Sequence, residues 1–383
     1  MKKRNLWIAG GILIIVLAIA LVLFYRSSRL ILVPKGQDYR IGVLYPLTGP
    51  AAAIGESNKN GVLMAIEDIN SRGGVNGRKL IAILGDTKGD PKEAISEFNR
   101  MTTLQNVKVV VTAISSVSLA LAPIADEKKV ILFADASHPD ITKGRSYVFR
   151  NFPTADLETK PVAEFLNNII PRIRAIAILV QNDDYGRGLS TSLKASLQST
   201  AVTYEDSFER TATDFRGQVQ KVIDSGVQAV YVGGFGKSLG ILIKQLRERQ
   251  FKGQVFASLG FLVADARAAA GEAAEGVYCA VPIFEFSRSE RVRLFKQRYK
   301  AKFGSEPPFN AALTYDTVHL LARALSVSKG FSSESIRKAL LGIQNFDGVS
   351  GKLSVQPNGD VVSEMTLGRI ASGNVVPIFH TGK

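Results

Sequence analysis

Between Arg40 and Asp86 the chain reads as strand, turn, helix and strand, and this order narrows the fold more than any other stretch. Arg40-Ile41-Gly42-Val43-Leu44-Tyr45 is a short apolar run, and Pro46 with Thr48-Gly49-Pro50 ends it. Val62, Ala65, Ile66 and Ile69 then recur at helical spacing. Gly73-Gly74 stops that helix, because glycine accepts the left-handed cap that other residues resist. A second apolar strand from Lys79 to Leu84 leads to Gly85-Asp86. Two strands joined through a helix are parallel neighbours, and their functional loops gather at the carboxyl ends.

The alternation continues. Strands are expected over 108–112 and 130–134, with helices over 91–104 and 116–128. The pattern starts afresh at Ala175-Ile176-Ala177-Ile178-Leu179-Val180 and runs through a helix over 185–197, a strand over 202–206, a helix over 214–224 and a strand over 229–232. A helix over 238–250 and a strand over 254–258 complete the round. Two rounds of similar length predict an α/β protein of two doubly wound parallel-sheet lobes. The end differs in texture: helices over 290–303, 309–328 and 333–343 precede a glycine-rich stretch, Phe346 to Leu353.

The leader sets the compartment. Met1-Lys2-Lys3-Arg4 precedes an apolar run from Leu6 to Tyr25, and about 20 residues at ~1.5 Å each span roughly 30 Å, the thickness of a bilayer core. The positive start leaves the amino terminus inside and sends the rest outward. Ala18-Ile19-Ala20 offers a signal-peptidase site, yet the apolar run continues past it, which favours an uncleaved transmembrane anchor over a removed signal peptide. Residues 1–25 are thus the anchor and 26–39 a tether. Cys279 is the sole cysteine, so neither lipid acylation at the leader nor an internal disulfide is available, and it reads as a core strand residue.

The net charge of +14 invites a nucleic-acid reading. Lys2, Lys3, Arg4, Arg26, Arg29 and Lys35 all fall in the leader and tether, before the first acid at Asp38. Elsewhere the charge lies along helices such as 291–302, whose Val292, Phe295 and Tyr299 recur as a buried face. No docking motif accompanies it, so nucleic acid is not an expected partner. Catalytic signatures are also missing. Gly236-Lys237-Ser238 lacks the first glycine of a phosphate loop, and a dinucleotide fingerprint from Gly234 fails at Leu239. His138, His319 and His380 are too scattered for a local metal motif. The expectation is a binding protein, not an enzyme, with no metal and no cofactor.

The Pro46–Pro50 turn, Ala65-Ile66-Glu67-Asp68-Ile69-Asn70, Gly73-Gly74-Val75-Asn76-Gly77, and Asp86 ahead of Asp90-Pro91 together resemble the type 1 periplasmic binding proteins of the branched-chain amino-acid group. The resemblance runs from Arg40 nearly to the end and takes in Tyr315-Asp316. It implies two lobes joined by a three-segment hinge, with crossings near 150–154, near 278–285 and at the glycine-rich stretch. Residues 40–152 and 284–350 would form lobe one, and 153–283 and 351–383 lobe two. It further implies an extracytoplasmic protein that closes on a small polar ligand, an amino acid or its amide or derivative, and delivers it to an ABC permease. A membrane-anchored sensor using the same clamshell is the alternative.

Site residues come from the same resemblance. Ser115-Ser116 alone reads as an ordinary helix N-cap; in the resembled group Ser116 and its neighbouring amides hold the ligand carboxylate. The loop Asp135-Ala136-Ser137 would supply a second hydroxyl at Ser137 and a carbonyl, and Tyr185 and Phe235 would pack on the ligand from lobe two. One departure stands out. The group carries an acid for the ligand ammonium after the strand over 254–258, where this chain has Ser258-Leu259-Gly260. A buried ammonium without a charged partner is costly. Either Asp183, Asp184 or Glu285 substitutes, or the ligand is not a free amino acid.

Overall fold

A computed structural model describes residues 38–170, 172–328, 330–361 and 365–378. The expected anchor, and the tether as far as residue 37, lie outside the described residues. Among the described residues no helix is long and apolar enough to cross a membrane.

The opening segment forms β1 (Tyr39–Tyr45), α1 (Ala52–Ser71) and β2 (Leu80–Asp86), with the strands parallel in register Tyr39 to Leu80. The amide of Gly74 reaches back to the Ile69 carbonyl at 3.0 Å and ends the helix where the glycine pair predicts. The first sheet continues with α2 (Pro91–Asn99), β3 (Val109–Ala113), α3 (Ser115–Glu127), β4 (Ile131–Asp135) and β5 (Val148–Arg150). Its order is β2-β1-β3-β4-β5, parallel throughout, so the topology reverses between β1 and β3. The expected helix over 91–104 widens into a π turn over Arg100–Leu104, where the Thr102 hydroxyl donates to the Phe98 carbonyl at 2.8 Å.

The second sheet comes after α4 (Ala155–Glu164). It contains β6 (Ala175–Gln181), β7 (Ala201–Phe208), β8 (Ala229–Gly233), β9 (Gln254–Ala257) and β10 (Tyr278–Pro282), connected by α5 (Asp184–Ser196), α6 (Arg216–Asp224), α7 (Lys237–Glu248) and α8 (Ala264–Ala270). These five strands are parallel, in the order β7-β6-β8-β9-β10, reversing between β6 and β8. An antiparallel pair, β13 (Met365–Ala371) and β14 (Asn374–Pro377), extends the β10 edge, making this sheet mixed where the pattern predicts a parallel one. Cys279 is fully buried in β10, and burial pushes its thiol up to about 12, so it is inert.

The late helices α9 (Glu290–Phe303), α10 (Phe309–Val327) and α11 (Ser333–Leu341) return to the first sheet. Helix α10 lies against α1, and both bury apolar residues over most of their length. Polar clasps fix their register: Arg298 of α9 pairs with Asp68 of α1, Tyr315 donates to Asp68 at 2.6 Å, and the Asn310 amide donates to Asn58.

The chain passes from β5 into α4 near Asn151–Thr154, and from β10 into α9 over 283–289. The third passage comes later than the glycine-rich stretch. That stretch folds as a hairpin of β11 (Phe346–Asp347) and β12 (Lys352–Leu353), and Asp316 of α10 accepts from the amides of Val349 and Ser350 at 2.9 and 2.7 Å. A buried acid with this many donors nearby holds the turn on the first lobe. The chain is still there at Val361, whose amide donates to the Arg150 carbonyl at 2.7 Å, and it has entered the second sheet by Met365. The expected crossing at 346–353 is thus displaced toward the carboxyl terminus.

Gly61 marks the closest approach of α1 to α10: a Cβ there would meet the Ala311 carbonyl oxygen and the Thr314 hydroxyl. Gly61→Ala is expected to destabilise the protein by about 1–3 kcal/mol through overpacking. The urea midpoint checks this; an unchanged midpoint would mean the helices can part at no cost.

Candidate ligand-binding site

The carboxyl ends of both sheets face one cavity. From the first come Ile114 and Ser115 after β3, Asp135, Ala136 and Ser137 at and after β4, and Phe152 after β5. From the second come Tyr185, Phe235, Gly260 and Val263. Ile54 and Asn58 of α1 and Phe309 and Asn310 of α10 complete the wall, enclosing about 50 Å³. This is the crevice where doubly wound sheets bind ligands, opposite the points at which strand order reverses.

Helix α3 starts in an unusual way. Ile114, its N-cap, has φ +73°, a conformation that costs a β-branched residue about 1–3 kcal/mol. No side chain caps the helix, so the serines do not act as N-caps. The first-turn amides have no intrahelical acceptors, and the helix dipole favours negative charge there. Ser115 is buried and lines the cavity; Ser116 is half-buried and does not. The one-residue difference is a matter of helix geometry, since successive side chains turn by about 100°.

The loop after β4 supplies the other polar wall. Asp135 is 5% exposed, and the Tyr45 hydroxyl donates to its Oδ2 at 2.8 Å. Burial pushes its carboxyl well above the usual carboxylate range, against the pull of that hydrogen bond. Its Oδ1 and the Ser137 hydroxyl, both buried, have no hydrogen-bond partner among the described residues. The Ser137 carbonyl accepts from the Ala155 amide at 2.9 Å, tying this loop to the start of α4.

Lobe two brings aromatic surface. Tyr185 and Phe235 lie with ring centroids 6.0 Å apart, and the Arg210 guanidinium sits 4.7 Å from the Phe235 centroid while pairing with Asp183 at 3.1 Å. Gly234 (φ +155°) and Gly236 (φ +81°) bracket Phe235, conformations that let a strand end, a ring and a helix start succeed one another without a break. Asp183, Asp184 and Glu285 do not line the cavity. Asp183 also accepts from the Gly186 amide, Asp184 pairs with Arg187 at 2.7 Å, and Glu285 faces a separate cleft with Arg267 and Lys296.

Two contributions had no signature in the sequence. Phe152, Phe309, Asn58 and Asn310 reach the cavity from a crossing and from helices, with no local motif to flag them. Glu158 of α4 sits behind Tyr185, accepting from its hydroxyl at 2.9 Å and from the Leu259 amide at 2.6 Å. A carboxyl thus reaches the Ser258-Leu259 turn from another element, though Tyr185 stands between it and the cavity.

A family described as periplasmic binding protein matches residues 38–374. The chain belongs to that family. The leucine-, isoleucine-, valine-, threonine- and alanine-binding protein of Pseudomonas aeruginosa is 27% identical over 327 residues, covering 84% of this chain and 87% of its own. A leucine-binding protein of Thermotoga maritima has the same fold, with TM-score 0.83 and 25% identity over 89% of this chain and 98% of that one. A branched-chain amino-acid transporter substrate-binding protein of Streptococcus pneumoniae, solved with isoleucine, aligns at TM-score 0.81 and 24% identity, over 88% of this chain and 98% of its own. The resemblance to type 1 periplasmic binding proteins of the Leu/Ile/Val group therefore holds. These relatives are binding proteins, not enzymes, and family membership implies an extracytoplasmic location.

Burial pushes Glu158 from its ordinary 4.5 up to about 7, against the bonds from Leu259 and Tyr185. A raised carboxyl favours the folded state most below its unfolded pKa and loses that advantage as pH rises through the folded one. Stability should therefore decline from about pH 4.5 to about pH 7 by up to about 3 kcal/mol more in the parent than in Glu158→Gln. Urea unfolding across that range checks the slope; parallel curves would place Glu158 in contact with water.

Proposed function

We propose that this periplasmic binding protein captures an amino acid, or a close derivative, between its lobes and delivers it to an ABC permease. One observation supports this reading above the others: Ser115, Ser137 and the uncapped start of α3 converge on a cavity whose remaining wall is largely apolar. A carboxylate placed at that polar end gains charge-assisted hydrogen bonds, and an aliphatic side chain placed among Phe152, Phe235, Phe309 and Val263 gains burial. Ligand touches both lobes only when they meet, so binding shifts the population toward the closed form. Delivery to a permease rests on family membership.

The division into lobes is part of the proposal, with hinge passages at 151–154, 283–289 and after Val361. Lobe one then holds Ser115, Asp135 and Ser137, and lobe two holds Tyr185 and Phe235. Residues 6–25 serve as the anchor to the membrane, and fractionation checks this: the full chain should stay with membranes through an alkaline wash, and release into the supernatant would overturn the anchor.

Titration calorimetry of the full chain with leucine, isoleucine, valine and alanine tests the ligand class. Ser115→Ala should weaken the tightest of these about tenfold, the worth of one hydrogen bond to a charged group, with a smaller effect for Ser116→Ala. Equal affinity in parent and Ser115→Ala would remove the hydroxyl from the site.

A further inference from the structure

Lobe two offers the cavity no charge. Its contributions are Tyr185, Phe235, Gly260 and Val263, and after β9, where the resembled group carries an acid, this chain has Ser258-Leu259-Gly260. No lysine, arginine or histidine lines the cavity either, and among the lining residues Asp135 is the one carboxylic acid. It stands at the end of β4, paired in register with Ala113 at the end of β3, one residue before the strained N-cap of α3. Adjacent parallel strands lie about 4.8 Å apart, so the acid and the uncapped helix start are immediate neighbours on one wall. Buried carboxyls are ordinarily paired or fully hydrogen-bonded. Asp135 has a single donor, Tyr45, on Oδ2, while Oδ1 is left without a partner in the cavity wall.

We infer that Asp135 is the ammonium partner of the ligand, so that a single lobe holds both charges of an α-amino acid, the carboxylate at Ser115 and Ser137 and the amine at Asp135. This rests on the proposed amino-acid reading and fixes its specificity. An α-amino acid carries its two charged groups on one carbon, matching an acid and a helix start on adjacent strand ends. The amine donates to Oδ1, the atom that lacks a donor, while Tyr45 keeps Oδ2. Lobe two then supplies apolar closure alone.

The ionisable groups around Asp135 are Tyr45 beneath it and, across the cavity, Tyr185 with Glu158 behind. Burial pushes the carboxyl above the normal carboxylate range in the free protein, and a cationic amine pulls it back down. At a pH between the free and bound values, binding releases a proton, visible as a dependence of the calorimetric enthalpy on the ionisation heat of the buffer.

The experiment titrates the full chain with L-leucine, L-isoleucine and L-valine, and with the same skeletons lacking the amine, 4-methylpentanoate, 3-methylpentanoate and 3-methylbutanoate. The inference expects the amino acids to bind at least about 100-fold more tightly than the deaminated acids, the scale of leaving one partner of a buried pair alone. Asp135→Asn should abolish most of that preference, and proton release should vanish with it. Deaminated acids that bind as well as the amino acids, or Asp135→Asn with parent affinity for the amino acids, would overturn the assignment while leaving small-solute capture intact. Binding of neither series would overturn the amino-acid reading, and this assignment with it. The comparison within the parent protein does not depend on the variant folding.

Discussion

Two parallel sheets can share a ligand only if their strands run toward a common space, and that orientation governs everything else in this molecule. A parallel strand delivers its chain to the next element at its carboxyl end. The loops that bring both sheets to the cavity are therefore loops after strands, and each can vary without disturbing the sheet beneath it. The fully buried strands β3, β4 and β8 hold those loops at fixed positions. The sheets are the frame, and specificity lies in the loop that each strand delivers.

The segments that lead into the first and third passages between lobes are tied to one another by well-buried contacts. Arg150, 1% exposed at the first passage between lobes, pairs with Asp360, which precedes the third, at 2.8 Å. The same guanidinium donates to the His138 carbonyl at 2.7 Å, next to the Ser137 loop. Removing one member of such a pair strands a buried charge, which costs about 3–5 kcal/mol. Two hinge strands and one ligand loop thus share a single cation, which couples the geometry of the site to that of the junction.

Much of this was legible in the sequence because it is written locally. Strand and helix periods and the Gly73-Gly74 stop are short-range signals, and they put Ser115, Asp135, Ser137, Tyr185 and Phe235, which the resemblance pointed to, at or just past strand ends. What escaped depends on contacts between distant segments. The hairpin at Phe346–Leu353 reads as a crossing, and the Asp316 carboxyl, 33 residues before Val349, helps to keep it on the first lobe. Phe309 and Asn310 begin a helix with ordinary periodicity and reach the cavity because α10 is laid across α1. That Ser115 and not Ser116 lines the cavity follows from where α3 begins, and a helix start is the least determined feature of any pattern.

Ile114 carries a further implication. Its left-handed backbone is one that glycine would adopt freely, yet the chain keeps a bulky branched residue whose side chain forms part of the cavity. A glycine would relieve the twist while opening a gap beside Ser115 and restoring the freedom of the segment that aims the amides. Rigidity and comfort are thus opposed at that position. Evolution toward a hardier fold and evolution toward a tighter grip would pull this residue in different directions.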